Sequence, residues 1–253
     1  MKLLVDKTLI GYAKPAVYAG FSAAEHNSDK MSTFDIFDSF NPDVYIADGN
    51  LLNSAVYKNI EQRPALRVVV IGSEESSKYK EFTDRFSNLY TWKQEKPYAD
   101  LFEYNKAEFV PQYASHFLSI ENTPIDGATN LTFDNNIVYR IFSTNVINSI
   151  YYCGFVPDNM KRHFYRSSKI SLTTLENSYN VVIAGGNPII APITKEMLLN
   201  ELDIDRTKSL SSLREEILED STNFNMQCDI LKNLGLDKEA GIIMNKRGDF
   251  KWI

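Results

Sequence analysis

The sequence predicts an α/β fold. Three observations carry that prediction. Asp43-Val44-Tyr45-Ile46-Ala47 and Arg67-Val68-Val69-Val70-Ile71-Gly72 are short apolar runs without alternation, as expected of strands buried on both faces. The stretch between them, Leu51 to Gln62, places Leu51, Leu52, Ala55, Val56 and Ile60 on one side of a helix. Strand, helix and strand at that spacing form a βαβ unit, which implies a parallel sheet.

The elements follow in order. Leu3-Leu4-Val5 is a short first strand, and Ala13 to Lys30 reads as a long connection of small and polar residues carrying Gly20 and His26. A helix over Met31–Phe40 ends at Asn41-Pro42. Asp48-Gly49-Asn50 turns the chain out of the second strand. Past the third strand come a surface helix over Lys78–Phe86, an edge strand at Leu89–Trp92, a helix over Asp100–Lys106 and a strand at Glu108–Pro111.

Residues from about Glu121 to Asn136 are rich in Asn, Thr, Asp, Gly and Pro and read as a linker. A second half then begins. Strands are expected at Asn136–Phe142, Ser149–Cys153, Lys169–Thr173 and Pro188–Ala191, with a helix over Asp158–Ser167 capped by Asp158. Val181–Ala184 reads as a strand by propensity, which would make Gly185-Gly186 a hairpin turn. Helical patterns close the chain at Thr194–Leu202, Leu210–Leu218, Phe224–Leu234 and Asp237–Ile243.

Composition narrows the class. The chain has 253 residues and a net charge of −6, which makes it a poor candidate for a non-specific nucleic-acid binder and leaves only a local basic patch for such a role. Cys153 and Cys228 stand alone, without C-x-x-C spacing, which excludes a disulfide scaffold and a four-ligand zinc site built on cysteine. No run of 18 apolar residues exists. A soluble cytoplasmic protein is expected. There is no G-x-G-x-x-G after the first strand, no Walker A sequence, no H-E-x-x-H and no G-x-S-x-G.

The residues that can carry chemistry are few. Asp48 lies at the carboxyl end of a parallel strand, where open α/β sheets place ligand groups. His26, in the long connection, is a candidate general base because imidazole titrates near neutrality. Lys161, Arg162, His163, Arg166 and Lys169 form a local cationic cluster suited to a pyrophosphate or to a solvated helix face. Gly185-Gly186 suits a turn or a close approach of backbone N–H groups to phosphate.

The second half resembles the donor-binding lobe of GT-B glycosyltransferases, nearest the spore-maturation-like and phage-encoded branches. Tyr152-Cys153-Gly154-Phe155-Val156-Pro157, then Phe164-Tyr165-Arg166-Ser167-Ser168-Lys169-Ile170-Ser171-Leu172, is similar to the family pattern Y-x-G-x-[VL]-P, helix, Y-x-x-[SA]-K-[IV]-x-[LI]. Ala184-Gly185-Gly186-Asn187-Pro188-Ile189-Ile190-Ala191 is similar to A-C-G-x-P-[IV]-[IV], and Asn41–Ala47 to the P-D-V-[IVL] strand. Phe109-Val110-Pro111 resembles the point of handover between lobes.

The resemblance implies two small Rossmann-like lobes with a helical C-terminal segment. The expected division is an acceptor lobe over 1–118 and a nucleotide-sugar lobe with the terminal helices over 119–253. It implies transfer of a sugar from a nucleotide-sugar to a glycan, a protein or a hydroxymethylated base in phage DNA, without a metal or resident cofactor. The other readings are a GT-B-like nucleotide-sugar binding protein without catalysis and a sugar-nucleotide epimerase. Donor-binding residues are then expected at Gly154, Arg162, Arg166, Lys169, Glu176, Asn180, Gly185 and Gly186, and catalytic ones at His26 and Asp48. Where the family carries an acidic ribose-holding residue, five positions before the last glycine, this sequence has Val181.

Overall fold

A computed structural model describes residues 1–27, 33–72, 86–104, 117–121, 137–142, 150–155, 162, 165–166, 170–190, 204 and 206–250. The chain separates into two compact units, one of Met1–Glu95 with Asn223–Lys251 and one formed largely by Lys96–Thr222.

In the first unit β1 (Lys2–Asp6), β2 (Ser22–His26), β3 (Val44–Asp48), β4 (Arg67–Ile71) and β5 (Leu89–Trp92) form one parallel sheet in the order β2-β1-β3-β4-β5. The β-branched runs that predicted buried strands are buried: Leu3–Val5, Val44–Ala47 and Val68–Val70 are all fully enclosed. Helix α2 (Thr33–Phe40) ends where Asn41 takes φ +47°, a conformation that asparagine tolerates at a helix end. Helix α3 (Ser54–Glu61) starts at Asn53, whose side chain accepts hydrogen bonds from the N–H groups of Ala55 and Val56. These helices and the sheet enclose Leu4, Phe37, Tyr45, Val56, Ile60, Val68 and Val70 in one core.

The connection expected between Ala13 and Lys30 is more ordered than its composition implied. A 3-10 helix (Lys7–Ala13) and α1 (Lys14–Tyr18) lead into β2, whose five residues pair in register with Lys2–Asp6. Ser22-Ala23-Ala24 has low strand propensity; pairing against the buried β1 decides its conformation.

The terminal helices α7 (Asn223–Asn233) and α8 (Asp237–Asp249) group with this first unit, rather than with the second half as the 1–118 and 119–253 division expected. They pack on each other and on α1, where Tyr18 meets Phe224 and Phe250 edge-to-face at ring-centroid distances of 6.0 and 5.3 Å.

The second unit holds a mixed sheet of order β10-β9-β6-β7-β8, not the uniformly parallel one of a Rossmann-like lobe. Strands β6 (Phe117–Glu121), β9 (Ile170–Thr173) and β10 (Pro188–Ile190) pair in parallel, while β7 (Ile137–Phe142) pairs antiparallel with both β6 and β8 (Ile150–Phe155). Helix α4 (Leu101–Tyr104) follows Ala99, whose N–H donates to Ser221 O at 2.8 Å. Helix α5 (Leu175–Ile183) connects β9 to β10, and α6 (Thr207–Asp220) packs on it. Val181–Ile183 is therefore helix, not strand. The sequence expectations over 78–85, 108–111 and 194–202, and most of the helix over 158–167, fall outside the described residues.

Candidate functional site

The sheet order of the first unit creates a topological switch. From β1 the chain crosses to one side, and from β3 to the other, so the connections leaving the carboxyl ends of these neighbouring strands diverge. Asp6 and Asp48 occupy those two ends. His26 closes the neighbouring β2, in register with Asp6.

Asp6 is the centre of the arrangement and is fully buried. Its Oδ1 lies 2.6 Å from His26 Nδ1 and accepts the Tyr45 hydroxyl hydrogen at 2.8 Å. Its Oδ2 accepts the Asp48 backbone N–H at 2.7 Å. A carboxylate removed from water needs such donors to remain charged. His26 Nδ1 also lies 3.1 Å from the Tyr45 hydroxyl oxygen, and its Nε2 is buried without a hydrogen-bond partner among the described residues.

The ring of His26 is 1% exposed and meets Phe37 and Tyr45 edge-to-face, each at 5.5 Å between centroids. It is thus a buried strand residue, not the loop histidine expected from the sequence. The Tyr45 phenol is held well above its ordinary pKa, first by burial and then by the negative charge of Asp6.

Asp48 differs. It is half-buried at the outer end of β3. Its Oδ2 accepts from Thr8 Oγ1 at 2.7 Å and its Oδ1 from the Asn50 N–H at 2.9 Å. The Asn50 bond closes an Asx-type turn. Gly49 N–H donates to Ile71 O at 2.8 Å, tying this turn to the end of β4. Asp6, Tyr45 and Thr8 were not singled out by the sequence reading. The available signals were an aspartate ending an apolar strand and one tyrosine inside an otherwise aliphatic run.

In the second unit the expected donor residues disperse. Gly154 lies inside β8, not in a turn. Arg162 and Arg166 are helical and half-buried, and Lys169 lies outside the described residues. Glu176 is exposed in the first turn of α5. The Asn180 side chain is engaged: its Oδ1 accepts the Asp100 N–H at 2.8 Å, and its Nδ2 donates to Asn177 Oδ1 at 3.0 Å. Val181 is fully enclosed.

Gly185 and Gly186 terminate α5. Gly185 takes φ +88°, its N–H donates to Val182 O at 3.0 Å, and the Gly186 N–H donates to Val181 O at 2.8 Å. That is the double hydrogen bond of a Schellman cap. Both N–H groups are thereby consumed, at the negative end of the helix dipole, so this turn is ill-suited to a diphosphate. The opposite end of α5 is suited to one. Thr174 caps it by accepting from Asn177 N–H at 3.4 Å, directly after the carboxyl end of β9. Asn177 Nδ2 in that turn donates to Tyr165 OH at 3.0 Å, and the adjacent Arg166 has its Nε buried without a hydrogen-bond partner.

Among the described residues no group of three or more His, Cys, Asp or Glu is arranged to hold a metal ion, and no helix is long and apolar enough to cross a membrane.

No protein-family model matches the chain. No curated protein matches it either. A solved structure of a protein described as pilus assembly-related, from Burkholderia pseudomallei, is similar over 36% of this chain and 78% of its own, at 20% identity and a TM-score of 0.28.

Proposed function

We propose that the chain is a glycosyltransferase that moves a sugar from a nucleotide-sugar to a hydroxyl-bearing acceptor. The acceptor classes implied by the resemblance are a glycan, a protein or a hydroxymethylated DNA base. One observation carries the reading: residues 170–190, within the stretch that resembles the donor lobe, form a parallel β9–α5–β10 unit whose helix begins at the carboxyl end of β9. A helix N-terminus in that position is the usual seat of a phosphate group. Arg166, with its partnerless Nε beside Tyr165, supplies the cation for the diphosphate. In this reading the diphosphate moves from Gly185-Gly186, the sequence expectation, to the Thr174 end of the helix.

A second reading, nucleotide-sugar binding without transfer, is favoured by Val181. The position that holds an acidic ribose contact in the family is here an enclosed aliphatic residue.

Thermal denaturation with UDP-, GDP- and ADP-sugars tests both. A ligand present at about 100 times its Kd adds about 2.7 kcal/mol of stability. The expected result is a shift with one nucleotide class, abolished by Arg166→Ala and accompanied by release of nucleoside diphosphate. A shift without release supports the binding protein; no shift with any of the three ends both readings.

A further inference from the structure

We propose that the outer face of α8, with the end of α1 beside it, pairs with the same face of a second copy of this chain across a two-fold axis. The surface belongs to the first unit alone and does not depend on the glycosyltransferase reading.

Helix α8 gains little from its own chain. A helix in a folded protein draws most of its stability from packing one face. Of the 13 residues of α8 only Ala240 and Ile243 are buried, whereas α7, with 11, buries seven from Asn223 to Leu231. Gly241 and Gly248 weaken α8 further, because glycine inside a helix is unfavourable relative to alanine. Among the described residues nothing requires them. Both are exposed, a Cβ at either would meet no atom within 4 Å, and neither takes a positive φ.

The outer face is continuous. At 3.6 residues per turn Lys238, Gly241, Ile242, Asn245 and Asp249 fall on one side, opposite Ala240 and Ile243, and all five are exposed. Ile242 is 37% exposed there, and on α1 Val17 and Tyr18 are 52% and 40% exposed. Helix α1 packs on α8, and Tyr18 meets Phe250 just past the end of α8. Removing these apolar side chains from water favours association.

Charge selects a second copy as the occupant. The first turn of α8 carries Asp237 and Glu239 against Lys238, and is net negative. The last turn carries Lys246 and Arg247 against Asp249, and is net positive. Two copies laid parallel would set like charge on like. Laid antiparallel, each negative turn faces the positive turn of the other copy, and the helix dipoles run opposite. A two-fold axis near Ile242 produces that arrangement. It sets Ile242 against its own copy and Glu239 opposite Lys246, twice, while Gly241 lets the backbones approach. A self-complementary face of this kind closes into a dimer and exposes no further copy of itself.

Analytical ultracentrifugation of the full chain, from nanomolar to high micromolar concentration, tests the proposal. The expected species at high concentration has twice the 28.9 kDa mass of the chain. A single-chain mass at every concentration overturns the proposal. Ile242→Asp is expected to raise the dimer Kd about 100-fold, the effect of losing a central contact. Gly241→Ala guards against a folding defect, since alanine favours the helix. At the interface it weakens the dimer about tenfold by crowding. A higher melting temperature with the dimer Kd unchanged places Gly241 in solvent and overturns the proposal. Glu239→Lys and Lys246→Glu each weaken the dimer, and together in one chain they restore it. A dimer indifferent to Ile242→Asp, or a double charge variant no tighter than the single ones, overturns the antiparallel pairing of α8.

Discussion

At the carboxyl ends of β1 and β3 the chain places carboxylates; at the carboxyl end of α5 it places two glycines. Asp48 and the glycine pair stand out in the sequence as candidates for ligand binding, and in the structure both are engaged by the protein's own groups. The manner of occupation differs. Asp6 is saturated by three donors and sealed from water, but the saturation passes one carboxylate, Asp48, out to the rim. Gly185 and Gly186 use their N–H groups to end a helix and pass nothing on. A polar cluster therefore exposes a neighbour, whereas a helix cap terminates an element.

The comparison breaks most readily at Asp6. Asp6→Leu removes the acceptor for Tyr45, His26 and the Asp48 N–H together, leaving buried donors unpaired. A cost of about 3–5 kcal/mol is expected, the range for breaking a buried pair from one side. Urea denaturation measures it. A cost below about 1 kcal/mol would mean that the trio does not hold the end of the sheet.

At the other end the expected loss is smaller and purely steric. A Cβ on Gly186 would lie 2.8 Å from Val181 Cγ1, 3.0 Å from Tyr165 O and 3.1 Å from Tyr165 Cβ. Backbone carbonyl oxygen cannot swing away as a side chain can. Gly186→Val is expected to cost about 2–3 kcal/mol, within the range for overpacking. Urea denaturation measures it, and a cost below about 1 kcal/mol would mean that Val181 and Tyr165 yield to the added side chain.

Much of the first unit was legible in the sequence. The apolar runs at Val44–Ala47 and Val68–Val70 bury completely, and Asn41-Pro42 ends a helix as expected, while the helix expected from Leu51 starts at Ser54 behind the Asn53 cap. The miss was β2, because Ser22-Ala23-Ala24 carries no strand signal of its own and depends on β1 for its conformation. That difference moves His26 from the expected loop to the buried end of a strand.

In the second unit the apolar residues at 181–183 suit either a strand or a buried helix. The Thr174 cap and the αL glycine at 185 decide for helix. The positions of Asp6 and Tyr45 were legible, but their meeting was not, since β1 and β3 become neighbours only through the order of the sheet.

The smallest expected effect also isolates one atom. Tyr45→Phe removes the hydroxyl that donates to Asp6 Oδ1, while His26 still faces the same oxygen. A loss of about 1.5 kcal/mol at pH 7 follows, the lower end of the range for a hydrogen bond to a charged group. The difference between wild type and variant then depends on pH in a direction that can be worked out.

Burial and the charge of Asp6 raise the folded phenol's pKa well above the unfolded value. The folded state therefore holds its proton where the unfolded chain has released it. This contribution is fully present below about pH 10, the unfolded tyrosine value. It is lost as pH rises toward the folded pKa, by at most about 1.4 kcal/mol per pH unit. Cys228, pushed up to about 11 by burial, adds a similar alkaline loss, but equally in both proteins, so it cancels in the difference. Urea denaturation of both proteins from pH 8 to 11 should show a gap that is flat to pH 10 and narrows above it. A gap that stays constant through pH 11 would place the Tyr45 hydroxyl in solvent contact, and the seal that distinguishes Asp6 from Asp48 would be gone.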